Sequence, residues 1–222
     1  MDVTALRLSV VLAAATVAAL VPLAMIVGRV LAFRRFRGRR VVEAALALPL
    51  VLPPTVLGFY LLAAFAPDGT LGRMLAAVAI PPLAFTFEGL VVASIIANIP
   101  FAVQPIQRGF ESIPAELREA AACSGLGPWS TFLQVELPLA WPGIVSATAL
   151  VFAHTLGEFG VVLMVGGSIP GETRTASIAI YDRMQAFDTA GAGILAVTLL
   201  AVSMVALAVV HGLAGRRGTG HG

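Results

Sequence analysis

The feature that most limits what this chain can become is a set of five long stretches without Asp, Glu, Arg or Lys: residues 8–28, 44–67, 89–107, 137–157 and 189–213. Each is about as long as the roughly 20 apolar residues an α-helix needs to cross a hydrocarbon core. A backbone in lipid must satisfy its polar groups internally, so such stretches fold as helices and not as an open sheet. The expected fold class is an all-α membrane protein with about five transmembrane helices in one domain, residues 1–222. Composition agrees, since 59% of the residues are hydrophobic, 12% are charged and the mean hydropathy is +0.95, well outside the range of soluble domains. The first stretch is too long for a secretory h-region and runs into arginines instead of a small-residue cleavage site, so it is read as a retained helix.

All fourteen basic residues are arginine, and their distribution sets an orientation, because basic loops stay in the cytoplasm. Arg29, Arg34, Arg35, Arg37, Arg39 and Arg40 lie between the first two spans. Placing that loop inside also puts Arg108, Arg118, Arg216 and Arg217 inside, and leaves Arg7, Arg73, Arg174 and Arg183 outside. The expected topology has the N-terminus outside, the C-terminus cytoplasmic, a cytoplasmic segment over 108–136 and a disordered tail over about 216–222. Topology is enough to explain the arginine run, with contact to anionic membrane lipid as a second use. Nothing in the sequence points to a nucleic-acid partner.

Inside the spans, prolines and polar residues mark candidate pathway positions. Pro49, Pro53 and Pro54 in LPLVLPPTVLG lack backbone N–H groups and obstruct the preceding turn. A broken segment at membrane depth is tolerated where it is buried in protein or lines a watery cavity, so this span is expected to face the centre of an assembly or to form a packed proline kink. Residues 74–87, with Pro81 and Pro82, are too short to span and are expected to be re-entrant or to lie on the outer surface. Asn98 and Gln104 in the third span could line a pathway or bond across to a neighbouring helix. His154 and Glu158 are four apart and share a helix face. Ionisable groups at membrane depth are functional candidates, although this pair is expected near the outer boundary, where structural pairing is the competing reading.

The segment 108–136 reads as a short helical hairpin. Pro114 suits a first helical position, Glu111 and Glu116 complement the positive end of the helix dipole, and Gly125 is a natural stop. Leu117, Ala120, Ala121 and Ser124 share a face of small side chains, with Glu119 at its edge, which a partner could approach closely. After Gly127-Pro128, the residues Trp129, Phe132 and Leu133 form an apolar face. The residues Glu119, Ala120, Ala121, Gly125, Val135, Leu137 and Pro138 follow the spacing E-A-A, three residues, G, nine residues, V, one residue, L-P.

That spacing resembles the EAA loop of ABC importer permeases, from whose usual form it departs only by valine at 135. LPLVLPPTVLG, LGEFG (Leu156 to Gly160) and IPGETRT (Ile169 to Thr175) resemble signatures of molybdate and tungstate permeases of that class; sulfate permeases share the first and a GEFG-like segment. The resemblance implies a type I ABC importer permease fold in a bacterial inner membrane. It also implies a second permease copy as a homodimer, two ATP-binding cassette subunits, and an extracytoplasmic oxyanion-binding protein. Carried onto this chain, Glu119, Ala120, Ala121, Gly125, Leu137 and Pro138 would couple to the ATPase. Pathway or gate candidates are Pro49, Pro53, Pro54, Asn98, His154, Gly157, Glu158, Gly160, Glu172 and Arg174.

Several other chemistries are excluded by residue type. A lysine-free chain cannot form a G-x-x-x-x-G-K-[ST] phosphate loop, so ATP and Mg would be held by the partner ATPase, and no catalytic motif or metal cluster is expected here. The single Cys123 excludes an internal disulfide. A sulfate or thiosulfate permease is the nearest alternative. A secondary transporter would require an ionisable relay and an inverted repeat. With no Arg or Lys inside the spans, an oxyanion is expected to pass without a strong cationic site.

Overall fold

The computed structural model describes residues 2–218. In chain order they form α1 (Val3–Phe33), α2 (Arg39–Val51), α3 (Pro54–Phe65), α4 (Thr70–Ala76), α5 (Phe87–Glu111), α6 (Ala115–Cys123), α7 (Pro128–Thr131), a π-helical turn (Phe132–Glu136), α8 (Leu137–Gly157), α9 (Gly160–Gly166), α10 (Ala176–Gln185) and α11 (Thr189–Gly218). Among the described residues, four segments are long and apolar enough to cross a membrane: Val3–Phe33, Phe87–Glu111, Pro128–Gly157 and Thr189–Val209. A fifth is obtained if α2 counts as one broken span with the segment Pro54–Ala76, from which it is bent by 107°.

The central helix is α5, packed against both α1 and α8, which also touch each other. Leu20, Leu31, Val103, Ile106, Phe110, Ile144 and Val151 fill their common core. In lipid the hydrophobic effect does not draw helices together, so close packing of small residues must do it; Ala24, Ala102, Ala140 and Ala147 are buried at these contacts. Side-chain caps define the starts of two of these helices: Asp2 accepts from the Ala5 N–H at 3.1 Å and Thr86 from the Gly89 N–H at 3.0 Å, each satisfying a donor that has no partner inside its helix. At the start of α11, Asp188 accepts from the Gly191 N–H at 2.9 Å and pairs with Arg183. The Gly191 N–H first, and Arg183 second, hold its carboxyl below the usual aspartate range.

The proline-rich span is broken, but at one place only. Pro49 lies inside α2, contrary to the expectation that it shares in the break. The helix ends at Leu52–Pro53, where both residues are extended, with ψ of 137° and 135°. Each precedes a proline, whose ring disfavours the α-region for the residue before it; Pro49, followed by leucine, has no such neighbour to reinforce it. The chain restarts at once, the Pro53 carbonyl accepting from the Val56 and Leu57 N–H groups at 2.9 and 3.0 Å.

Residues 77–86 form an irregular excursion, with Ala79 and Phe85 at φ of 57° and 61°. The Phe85 N–H is fastened to the Val165 carbonyl at 2.9 Å. Helix α11 extends to Gly218, so 216–218 of the expected disordered tail are helical; the rest of that tail, 219–222, lies outside the described residues.

Candidate functional site

Two groups of sequence-marked residues lie at different levels of the bundle. At the end where α1 and α5 finish and α8 begins, α6 presents the EAA-like stretch. Pro114 caps this helix and is not its first residue. Gly125 adopts φ of 76°, a backbone conformation that suits glycine, and the Leu126 N–H returns to the Ala121 carbonyl at 3.1 Å to close the helix. Glu119, Ala120 and Gly125 are exposed, as are Leu117 and Ser124, whereas Ala121 turns inward and is buried. The expected small-residue face is thus split between an outward part and a part packed on its own chain. Pro138 is exposed and Leu137 half-buried.

What holds this end together is a residue that sequence reasoning passed over. Glu136 is fully buried (0% exposed) at the end of the π-helical turn. Its carboxylate accepts from Arg29 Nε at 2.5 Å and Nη2 at 3.2 Å, and from Arg118 Nε at 3.1 Å. The Arg118 guanidinium lies 3.7 Å from the centre of the Phe33 ring, and Arg29 lies 5.4 Å from that of Phe132, so both cations also rest on aromatic faces. The wide turn suits the sequence, because Pro138 cannot donate to Gln134 in an α-turn and its ring would press on that carbonyl. Glu136 was missed because it occupies the unspecified position between Val135 and Leu137. The available signal was an acid at the very edge of an apolar span.

The second group surrounds the broken span. Asn98 is buried on α5, about 16 Å along it from Phe87 at 1.5 Å per residue. Its Nδ2 donates to the Ser94 carbonyl at 2.8 Å and to Thr155 Oγ1 at 3.1 Å, and its Oδ1 lies 3.1 Å from His154 Nδ1. His154 Nε2 is 3.6 Å from Glu158 Oε2, and Phe101 stacks on the imidazole with centroids 4.2 Å apart. Glu158 Oε1 accepts the Val161 N–H at 3.0 Å, which opens α9.

The pair lies beside Asn98, near the middle of α5, where α8 ends and the chain turns into α9. Pro49, Pro54, Phe101, His154 and Glu158, with Leu57 and other apolar neighbours, line a cavity of about 110 Å³.

This geometry depends on glycine at one contact. A Cβ on Gly160 would lie 2.8 Å from Pro54 Cβ, and one on Gly58 would lie 2.8 Å from Met164 Cβ. The glycines of LPLVLPPTVLG and LGEFG thus let α3 and α9 touch closely, so two motifs a hundred residues apart form one packing unit.

Other candidates fall elsewhere. Gly157 and Glu172 are exposed. Arg174 bridges Asp182 at 3.1 Å and Asp2 at 3.7 Å, tying the IPGETRT loop to α10 and to the start of α1. Buried Thr173 donates to the Gly166 carbonyl and accepts from the Ile169 N–H, which gives the loop its shape. Gln104 borders a separate cavity of about 300 Å³. Near it Gln107 and Arg39 bridge Glu43 and Glu111 at 2.9–3.1 Å.

Residues 20–217 match the family described as "Binding-protein-dependent transport system inner membrane component". The chain belongs to that family. As an inner-membrane permease component, it is 45% identical over 210 residues to the molybdenum transport system permease protein ModB of Azotobacter vinelandii, covering 95% of this chain and 93% of that one. It is 37% identical over 180 residues to ModB of Escherichia coli, covering 81% and 79%. It is also 37% identical over 190 residues to the sulfate transport system permease protein CysT of E. coli, covering 84% and 68%. In fold, the permease superposes on the bacterial ABC transporter involved in the import of the acidic polysaccharide alginate with a TM-score of 0.80 at 16% identity, covering 96% of this chain and 79% of that one. A further structure of an alginate transporter, in complex with an alginate pentasaccharide-bound periplasmic protein, matches with the same score.

Proposed function

We propose that this permease is the membrane-spanning subunit of an ATP-driven importer of molybdate or the similar dianion tungstate. The observation that carries the reading is its 45% identity, over 95% of its length, to a molybdenum permease. The CysT likeness favours sulfate as the second reading, but it is lower in identity and shorter in coverage, and the IPGETRT loop resembles the molybdate form.

In this reading the chain itself is not an enzyme. Two copies form the pathway, and two ATPase subunits, which hold ATP and Mg, dock on α6 through Glu119, Ala120 and Gly125. An external oxyanion-binding protein delivers the cargo to the outer face. The orientation has the α6 end in the cytoplasm and the N-terminus outside; the clustering of Arg29, Arg34, Arg35, Arg37, Arg39, Arg40, Arg108 and Arg118 toward the α6 end supports it.

The pathway runs past the break in the second span, where Pro49, Pro53, Pro54, Asn98, His154, Glu158 and Gly160 converge. No arginine is among the residues lining that cavity, which supports weak binding in transit and selectivity residing in the external protein. Reconstituted vesicles containing the permease, its ATPase and its binding protein should import molybdate in preference to sulfate when the anions compete. Sulfate outcompeting molybdate would transfer the assignment to the second reading. The purified permease alone should bind molybdate poorly, and tight binding would remove the weak-pathway reading.

A further inference from the structure

We infer that Glu136 is a positioning residue that carries movement of α6 into the membrane core, an inference that rests on the reading of this chain as an ATP-driven importer subunit. Helix α6 packs chiefly against α7 and the π-helical turn, so a force applied to it has few routes inward. One of those routes is polar: Arg118 projects from α6 and its Nε meets Glu136 Oε1 at 3.1 Å. Glu136 passes without a break into α8, the helix that carries His154 and ends at Glu158. On its other side Glu136 is held by Arg29 of α1. A single carboxylate therefore joins three elements: the exposed helix, the helix leading to the broken span, and the first span.

The burial pattern separates this arrangement from a surface ion pair. The Glu136 side chain is 1% exposed, whereas those of Arg29 and Arg118 are 35% and 37% exposed. A buried ion pair carries a desolvation cost that a well-packed apolar residue would avoid, so such a pair is weak evidence of a role in stability alone. What it supplies is directional: two guanidiniums fix the carboxylate from opposite elements, and the wide turn aims it between them. Pulling Arg118 displaces Glu136, and with it the start of α8, against the hold of Arg29.

The test is the ratio of anion imported to ATP hydrolysed by the complete complex in proteoliposomes. Arg118→Gln leaves the Arg29–Glu136 pair in place and should preserve assembly, while lowering uptake per ATP by about tenfold, within the usual range of coupling between sites. Arg118→Lys, which keeps the charge, should restore most of the ratio, and Glu136→Gln should lower it like Arg118→Gln. An unchanged ratio in Arg118→Gln overturns the inference. So does a proportional fall of uptake and hydrolysis that tracks the amount of assembled complex, because that is the signature of a purely structural contact. A wild-type complex that imports none of molybdate, tungstate and sulfate removes the parent reading instead.

Discussion

Among the described residues, Glu136 and the His154–Glu158 pair are the two places where this permease embeds acidic groups in its bundle, and they are built on opposite principles. Glu136 is saturated, with two guanidiniums on one carboxylate and aromatic rings behind them. His154 and Glu158 are 3.6 Å apart, bonded separately to Asn98 and to a backbone N–H, and they border a cavity. The first arrangement tolerates little displacement without leaving a charge unpaired. The second can lengthen or shorten while each member keeps its other partner. A stiff joint near α6 and a compliant one at the helix break are what the proposed transmitter and gate would respectively require.

The comparison can be broken in several ways. The largest effect is expected from Glu119→Arg on exposed α6, which should abolish uptake while leaving the protein correctly inserted, measured by transport and protease accessibility together. Normal transport would remove Glu119 from the docking surface. Glu136→Ala should destabilise the folded permease by about 3 kcal/mol, because it removes hydrogen bonds to two charged groups, each worth about 1.5–3 kcal/mol, while the part-exposed guanidiniums regain some solvation. Denaturation in mixed micelles reads that difference, and a loss below about 1 kcal/mol, as for an exposed pair, would erase the contrast.

Gly160→Ala comes next. The added methyl would press on Pro54, and overpacking of this kind costs about 1–3 kcal/mol, which the same denaturation measures; a neutral effect would show that the α3–α9 contact yields easily. The smallest stability effect is expected from His154→Phe, which retains an aromatic ring beside Phe101 and should cost about 1 kcal/mol or less, as interhelical hydrogen bonds in membranes usually do. A cost equal to that of Glu136→Ala would mean that the helix break is as rigid as the Glu136 joint.

Much of the architecture was legible because lipid enforces simple rules. Long charge-free stretches must be helices, and the spacing from Glu119 to Pro138 singled out α6 before any fold was in view. The stop at Gly125 and the break at Pro53-Pro54 followed from local sterics. The rest depended on contacts between distant segments. Pro49 looked equivalent to its neighbours, yet only a proline followed by another prolyl junction interrupted the helix here. The contact of His154 with Asn98, 56 residues away on another helix, had no signal in the spacing of His154 and Glu158. Glu136 carried no spacing signal, since its meaning lies in Arg29, 107 residues away. Gly58 and Gly160 each read as part of a separate motif until their helices were seen to touch.

Helix α2 buries none of its residues within its own chain, and Val41, Leu48, Leu50 and Val51 stand 53–78% exposed. It is tied to α5 by Leu46, half-buried against the main core, and by the Arg39–Glu43–Gln107–Glu111 hydrogen bonds at one end, and it borders the small cavity at the other. Protection of backbone amides against exchange with solvent follows how much structure must open to expose them. By that measure α2 has little to lose in the lone subunit, and its order within a working transporter is a property of whatever surrounds it more than of its own sequence.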